Sequence, residues 1–187
     1  MIESVTREFS ETFTLSDHGI ALLRDLCGFT LHRVFAPCLQ VGGHQLTAPS
    51  LSFLLGQHNF LAFRCEWFET PHTFTDYWRL AVSKHRTPPG IDVNSDGAIV
   101  APCTIQFSDA KPISGIEIYS TQWDWESDGL SEHVCYDSAF RFITKDNRSF
   151  LIWCHLNGPG IATEVHFSED SEAVAPFVTN SRLRISL

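Results

Sequence analysis

From His133 to Leu156 apolar and polar positions alternate with a period of two. Val134, Tyr136, Phe140 and Phe142 fall on one face, and Cys135, Asp137, Ala139 and Arg141 on the other. Ser138 is the only small polar residue on the first face. That period is the mark of a strand with one face buried and one wetter. Lys145-Asp146-Asn147-Arg148 supplies residues that tolerate left-handed backbone angles and close tight hairpins. The return segment, Phe150 to Cys154, is apolar on both faces, which places it inside a sheet covered on both sides.

The same reading along the chain predicts mostly strands. Residues 3–13 read as an opening strand. Ser16-Asp17 then starts a helix over 17–27, with Ile20, Leu23, Leu26 and Cys27 on one face and Gly28 at its end. Strands are expected within 29–41, 46–55 (interrupted by Pro49), 59–68, 75–83, 98–107, 113–123, 162–167 and 182–187. Gly42-Gly43, Thr87-Pro88-Pro89-Gly90 and Gly158-Pro159-Gly160 punctuate them, and 168–175 reads as one acidic helical turn. The fold class expected is mainly β, or α+β if the helix is given weight: an antiparallel sandwich or barrel-like sheet with one short N-terminal helix. No segment serves as an interdomain linker, so a single domain over 1–187 is expected.

Composition fits a globular chain. Hydrophobic residues make up 43%, and Phe is abundant while Met occurs once, which favours sheet. The first residues carry acids and no apolar run, and no stretch has the length of a membrane-spanning helix, so a cytoplasmic protein with no membrane partner is expected. Cys27, Cys38, Cys65, Cys103, Cys135 and Cys154 form no CxxC pair and read as free thiols.

Charge changes the picture more than its total of −9 suggests. Residues 1–86 hold eight acids and seven Lys/Arg, and residues 141–187 five of each. Residues 87–140 hold nine acids against Lys111 alone, a balance of −8. Such a segment attracts basic surfaces and disfavours nucleic acid, which needs a basic stripe to meet phosphates.

Within it lie two similar stretches, Asp92-Val-Asn94-Ser-Asp96-Gly97 and Asp124-Trp-Glu126-Ser-Asp128-Gly129. Asp92, Asn94 and Asp96, and Asp124, Glu126 and Asp128, have the spacing of the first ligands of a calcium loop. The closing bidentate Glu is replaced by Cys103 and Cys135, which are poor calcium ligands. These six residues are weak candidates for a divalent cation, and acidic β-turns account for them without any ligand. Zinc could be held by His133, Cys135, Cys154 and His155 if the strands brought them together, although neighbours on a strand point to opposite faces. Otherwise no cofactor is expected.

The second acidic stretch also reads as an interaction surface. Trp123, Asp124, Trp125, Glu126, Asp128, Glu132 and Asp137 interleave aromatic area with carboxylates, a composition suited to capturing a basic protein partner. No GxSxG, P-loop or GxGxxG occurs, so a non-enzymatic binding protein is favoured, with an immunity-type inhibitor of a cationic toxin as its concrete form. The alternative is a carbohydrate-binding or hydrolytic β-sandwich, with acids such as Glu66 and Glu69 beside Trp67. The third class is a divalent-metal-binding module.

Overall fold

The structure is a computed structural model that describes residues 7–43, 45–96, 98–100, 103–127, 129–154, 164–169 and 181–187. It is a mainly antiparallel β-sandwich with one helix. In chain order the elements are β1 (Arg7–Phe13), α1 (Asp17–Arg24), β2 (Arg33–Ala36), β3 (Gln40–Gly42), β4 (Gln45–Ala48), β5 (Ser50–Gly56), β6 (Asn59–Glu69) and β7 (Asp76–His85). There follow β8 (Asp92–Val93), β9 (Ile99–Val100), β10 (Cys103–Gln106), β11 (Ile113–Ser127), β12 (Leu130–Thr144), β13 (Ser149–Trp153), β14 (Val165–Ser168) and β15 (Arg182–Ser186).

One sheet has eight strands in the order β15-β11-β12-β13-β14-β4-β3, with β1 added beside β12. The second is β10-β2-β5-β6-β7, and β8 and β9 form a small ribbon. Pro49 explains how β4 and β5 divide between the sheets. It removes a ladder donor at the corner where the chain leaves the first sheet for the second. The two sheets enclose a core in which Phe53, Phe63, Phe140, Phe142 and Phe150 touch; Phe142 and Phe150 stack at 4.8 Å. Each fully buried side chain of that size contributes roughly 2–3 kcal/mol through its removal from water.

The expected hairpin is present. β12 and β13 pair antiparallel, with Phe142 opposite Phe150, and Asn147 closes the turn at φ 61°. β13 lies between β12 and β14, covered by Phe150 and Ile152 on the core face and by Leu151 and Trp153 on the other. The helix forms where Ser16 caps it, its hydroxyl accepting from the Gly19 N–H at 3.3 Å. Gly28, at φ 87°, turns the chain so that its N–H reaches the Ile113 carbonyl at 2.8 Å.

Three features depart from the expectation. β1 pairs in parallel with the first half of β12, Phe9 opposite Glu132 and Phe13 opposite Tyr136. β11 does not stop at Trp123. It continues through Asp124, Trp125 and Glu126, because each residue finds a ladder partner on β12, and Gly129 at φ 75° lies in the turn before β12. The acidic stretch at 124–129 is therefore the end of a long hairpin and not a separate loop. The ninth and tenth strands split what reads as one strand over 98–107. The turn expected at 158–160, the start of the 162–167 strand and most of the 168–175 helical turn fall outside the described residues.

The long hairpins also change faces. On β11 the core side chains are Ile116 and Ile118, but past the register shift at Tyr119/Ser120 the inward positions become Thr121, Trp123 and Trp125. On β12 Ser138 has no ladder partner on β11, which keeps Tyr136, Val134 and Glu132 buried beyond it. β6 and β7 do the same, burying Leu61, Phe63 and Leu80 in one half and Phe68 and Tyr77 in the other. Two twisted hairpins thus pack through one face near the core and through the other at their tips.

Candidate protein-interaction site

The tips meet around a buried acid. Glu132 is 0% exposed, opposite Trp125 on β11 and Phe9 on β1. Its Oε2 accepts from the hydroxyls of Thr70 (3.1 Å) and Thr73, both in the β6–β7 loop. The hydroxyls form a directed set. Thr75 Oγ1 lies 2.9 Å from Thr73 Oγ1, and the Thr75 N–H reaches Thr70 Oγ1 at 3.2 Å. With Thr70 and Thr73 donating to the carboxylate, the Thr75 side chain and backbone supply their incoming bonds. Two backbone bonds close the same loop, Thr70 N–H to Thr75 O and Phe74 N–H to Thr70 O, each 3.1 Å.

This bracing holds a strained residue in place. Phe74 has φ 52° and is 71% exposed. A bulky residue in the left-handed region is an outlier, and strain of that kind persists only where surrounding bonds over-determine it. Beside it Trp67 is 53% exposed, its Nε1–H bonded to Asp76 at 2.8 Å. His72 stacks on Phe9 at 3.7 Å, and Phe13 on Phe68 at 3.8 Å.

Below the loop, Phe68, Tyr77 and Tyr136 pack with Val134, and Trp123 leans on them. Glu132 Oε1, Tyr77 Oη and Trp123 Nε1, all buried here, make no hydrogen bond. Burial pushes the Tyr77 phenol up to about 12, and the negative charge of Glu132 adds to it.

The nine acids of the −8 segment separate into distinct roles. Asp137, 0% exposed, receives Arg184 at both oxygens (2.8 and 2.6 Å), the Ser120 hydroxyl at 2.7 Å and the Leu15 N–H at 2.7 Å. It is a structural hub between β12, β15 and the lead into α1. Glu117 pairs with Arg141 at 3.2 Å, and Asp109 with Lys111 at 2.7 Å. Asp92 and Asp96 are exposed on the β8–β9 ribbon with Asn94. Asp124 and Glu126 are exposed at the tip of β11, while Trp123 and Trp125, which alternate with them, are half-buried. Asp128 is outside the described residues.

Of the seven residues expected to meet a partner, Asp124 and Glu126 therefore reach solvent. Trp123 and Trp125 are half-buried, and Glu132 and Asp137 are interior because each is held by internal donors. Asp124 Oδ1 bonds His133 Nδ1 at 2.7 Å, which raises the imidazole above its ordinary value, with Glu8 adding to the effect.

The two DxxSDG stretches both sit at hairpin turns. Asp96 Oδ1 accepts from the Ala98 N–H at 3.0 Å and Asn94 N–H donates to the Ala98 carbonyl, the work of a turn. Among the described residues no three His, Cys, Asp or Glu side chains converge as ligands would. His133 is exposed on β12 whereas Cys154 is fully buried, so these two candidate zinc ligands are apart; His155 is outside the described residues. Glu66 is taken up by Arg79 at 2.9 and 2.6 Å, and Glu69 is exposed.

The sequence pattern did not point to Phe74 or the threonines, and it brought in Trp67 only beside Glu66 and Glu69 in the carbohydrate alternative. The signal was Thr70-Pro-His-Thr73-Phe-Thr75, a run of hydroxyls between two aromatic strands that reads simply as a break.

A groove of about 760 Å³ lies at the far end of the β11–β12 hairpin. Phe107, Phe150 and Phe167 contribute apolar surface, and Lys111, Arg141 and Arg148 its cations. Each cation already has an acid: Asp109, Glu117 and Asp146 respectively. No tryptophan is among its described lining residues. Comparison with known proteins finds no matching family model, curated protein or solved structure.

Proposed function

We propose that the chain is a non-enzymatic binding protein that captures a basic protein through the hairpin tips, with an immunity-type inhibitor of a cationic toxin as the concrete case. The observation that carries this is Phe74, an aromatic side chain held in solvent at positive φ by a loop bolted to a buried carboxylate. A rigid exposed aromatic loses little conformational freedom on docking, which is how interface anchors work. On the strands that carry the tips, Glu8, Glu69, Asp76, Asp124 and Glu126 are exposed and Glu11 is half-buried. Such a rim steers and orients a cationic partner. The carbohydrate or hydrolytic reading needs a cleft with Trp123 or Trp125 beside two converging carboxylates. Neither tryptophan is among the described lining residues of the groove.

The test is affinity capture from cells that make the protein, with the wild type beside Phe74→Gly and Asp124→Asn/Glu126→Gln. The expected result is a basic protein retained by the wild type, lost with Phe74→Gly and released earlier by salt with the double variant. Retention of the same proteins by all three would remove the proposal.

A further inference from the structure

Two thiols from opposite sheets meet inside the sandwich, away from the hairpin tips. Cys65 lies on β6 in the five-stranded sheet, and Cys154 directly follows β13 in the eight-stranded one. The Cys154 sulfur sits 3.4 Å from the carbonyl of Trp78 on β7, the strand paired with β6. The Cys65 sulfur sits 3.0 Å from the carbonyl of Glu164, which leads into β14, the strand paired with β13. Each sulfur thus touches backbone of the other's sheet, which places both thiols in the same layer between the sheets. Cys154 is fully buried, while Cys65 keeps partial contact with solvent.

We propose that Cys65 and Cys154 form an oxidation site, which a peroxide converts into a disulfide joining the two sheets. The Cys65 thiolate, the one a small oxidant can reach, attacks a peroxide oxygen. The O–O bond breaks, the departing oxygen leaves as hydroxide or alkoxide and takes up a proton, and Cys65 becomes a sulfenic acid. Cys154 then gives up its proton and its sulfur attacks that of Cys65, expelling the sulfenic oxygen as water. With hydrogen peroxide, two thiols and one peroxide yield one disulfide and two waters; sulfur loses two electrons and the peroxide gains them. Cys65 beside it and burial together hold the Cys154 thiol well above its ordinary value, which suits the resolving and not the attacking role. The bond would tie residue 65 to residue 154 and so restrict the unfolded chain over a long loop.

The experiment uses the full chain, reduced and then exposed to hydrogen peroxide in steps. Remaining thiols are alkylated, the protein is digested without reduction, and cross-linked peptides are mapped by mass. Thermal melting is followed in parallel, before and after returning the sample to a thiol reductant. The expected result is a peptide linking Cys65 to Cys154 as the main intramolecular product. A rise in melting temperature of roughly 10 °C should accompany it and reverse on reduction. Cys65→Ser, a change at the partly exposed partner that leaves Cys154 in place, should remove both. Over-oxidation of Cys65 with Cys154 still free, a disulfide between other cysteines, or the same rise in Cys65→Ser would each overturn the assignment.

Discussion

Replacing Thr73 by Val tests whether the buried acid braces the loop. The change keeps the shape of the side chain and removes one hydroxyl. That hydroxyl donates to Glu132 Oε2 and is within bonding distance of Thr75 Oγ1. Afterwards the carboxylate keeps only the Thr70 hydroxyl at 3.1 Å, and its other oxygen already has no partner. Water cannot readily replace the lost donor, because Glu132 is 0% exposed. A net hydrogen bond to a charged group is worth about 1.5–3 kcal/mol. The expected loss is therefore about 2 kcal/mol, or roughly 4–8 °C in melting temperature for a chain of this length.

Thr75→Val is the control. It removes a bond between two neutral hydroxyls in a half-buried loop, with an expected cost of about 0.5–1 kcal/mol. Urea unfolding followed by tryptophan fluorescence reads both, provided the denaturant dependence stays constant. The sharper form is a double-mutant cycle with Glu132→Gln, which keeps size and an acceptor oxygen but loses charge. In that background Thr73→Val should cost no more than about 1 kcal/mol, leaving a coupling of about 1 kcal/mol or more. Equal costs for Thr73→Val and Thr75→Val, or the same Thr73→Val cost in both backgrounds, would refute the bracing.

Tyr77 makes stability fall at alkaline pH. Its folded value of about 12 exceeds the ordinary 10, so its contribution is complete below pH 10 and is lost as pH rises towards 12, about 2–3 kcal/mol in all; a phenolate absorbance titration in which Tyr77→Phe leaves the late phase unchanged would contradict this. Asp137→Asn strips the ion pair with Arg184 in the interior and should cost about 3–5 kcal/mol, whereas Asp124→Asn should cost under about 0.5 kcal/mol; similar urea midpoints for the two would show that burial does not separate them. Phe74→Gly relieves about 1 kcal/mol of backbone strain while loosening the unfolded chain by a similar amount, so its unfolding midpoint should stay near the wild type. Loss of the captured partner without loss of stability is the expected combination, and a midpoint lowered by more than about 2 kcal/mol would show that Phe74 is a packing residue.

What the sequence made legible follows from periodicity. The β12–β13 hairpin, the helix and its Ser16 cap, and most strand positions come from alternation and turn chemistry, which act locally. The end of β11 was hidden because Asp124 and Glu126 belong to a stretch with the composition of a turn, yet a partner strand supplies their ladder bonds. The buried places of Glu132 and Asp137 were hidden for another reason. Alternation sets Asp137 on the wetter face and Glu132 in step with Val134 and Tyr136, and only Thr70, Thr73, Ser120, Arg184 and the Leu15 N–H make burial of these carboxylates tolerable. Those donors lie 17 to 122 residues away in sequence, too far for any spacing rule. The face change of the β11–β12 hairpin at its bulge has the same effect, since it reverses which parity of residue is inward midway along β11.

Departures from local rules are spread unevenly over the sandwich. Away from the tips the aromatic pairs are in contact and the helix is capped, while Ser52 Oγ and Asn59 Oδ1 are buried without a partner and His58 closes the β5–β6 turn at φ 54°. At the tips the departures lie together. Three buried polar atoms lack partners, a phenylalanine occupies the left-handed region, and two large aromatics face water. Each unpaired atom costs about 1–3 kcal/mol and the backbone strain about 1 kcal/mol. Together that is a substantial part of the 5–15 kcal/mol by which a domain is ordinarily stable. A glycine or asparagine at position 74 would close the same turn without strain, and a leucine at 132 would fill the same space without an unpaired oxygen. A fold needing only a hairpin end there has no use for these residues. A surface that must hold an aromatic side chain rigidly in solvent, amid carboxylates, has a use for all of them, because the buried acid fixes the threonines and the threonines fix Phe74.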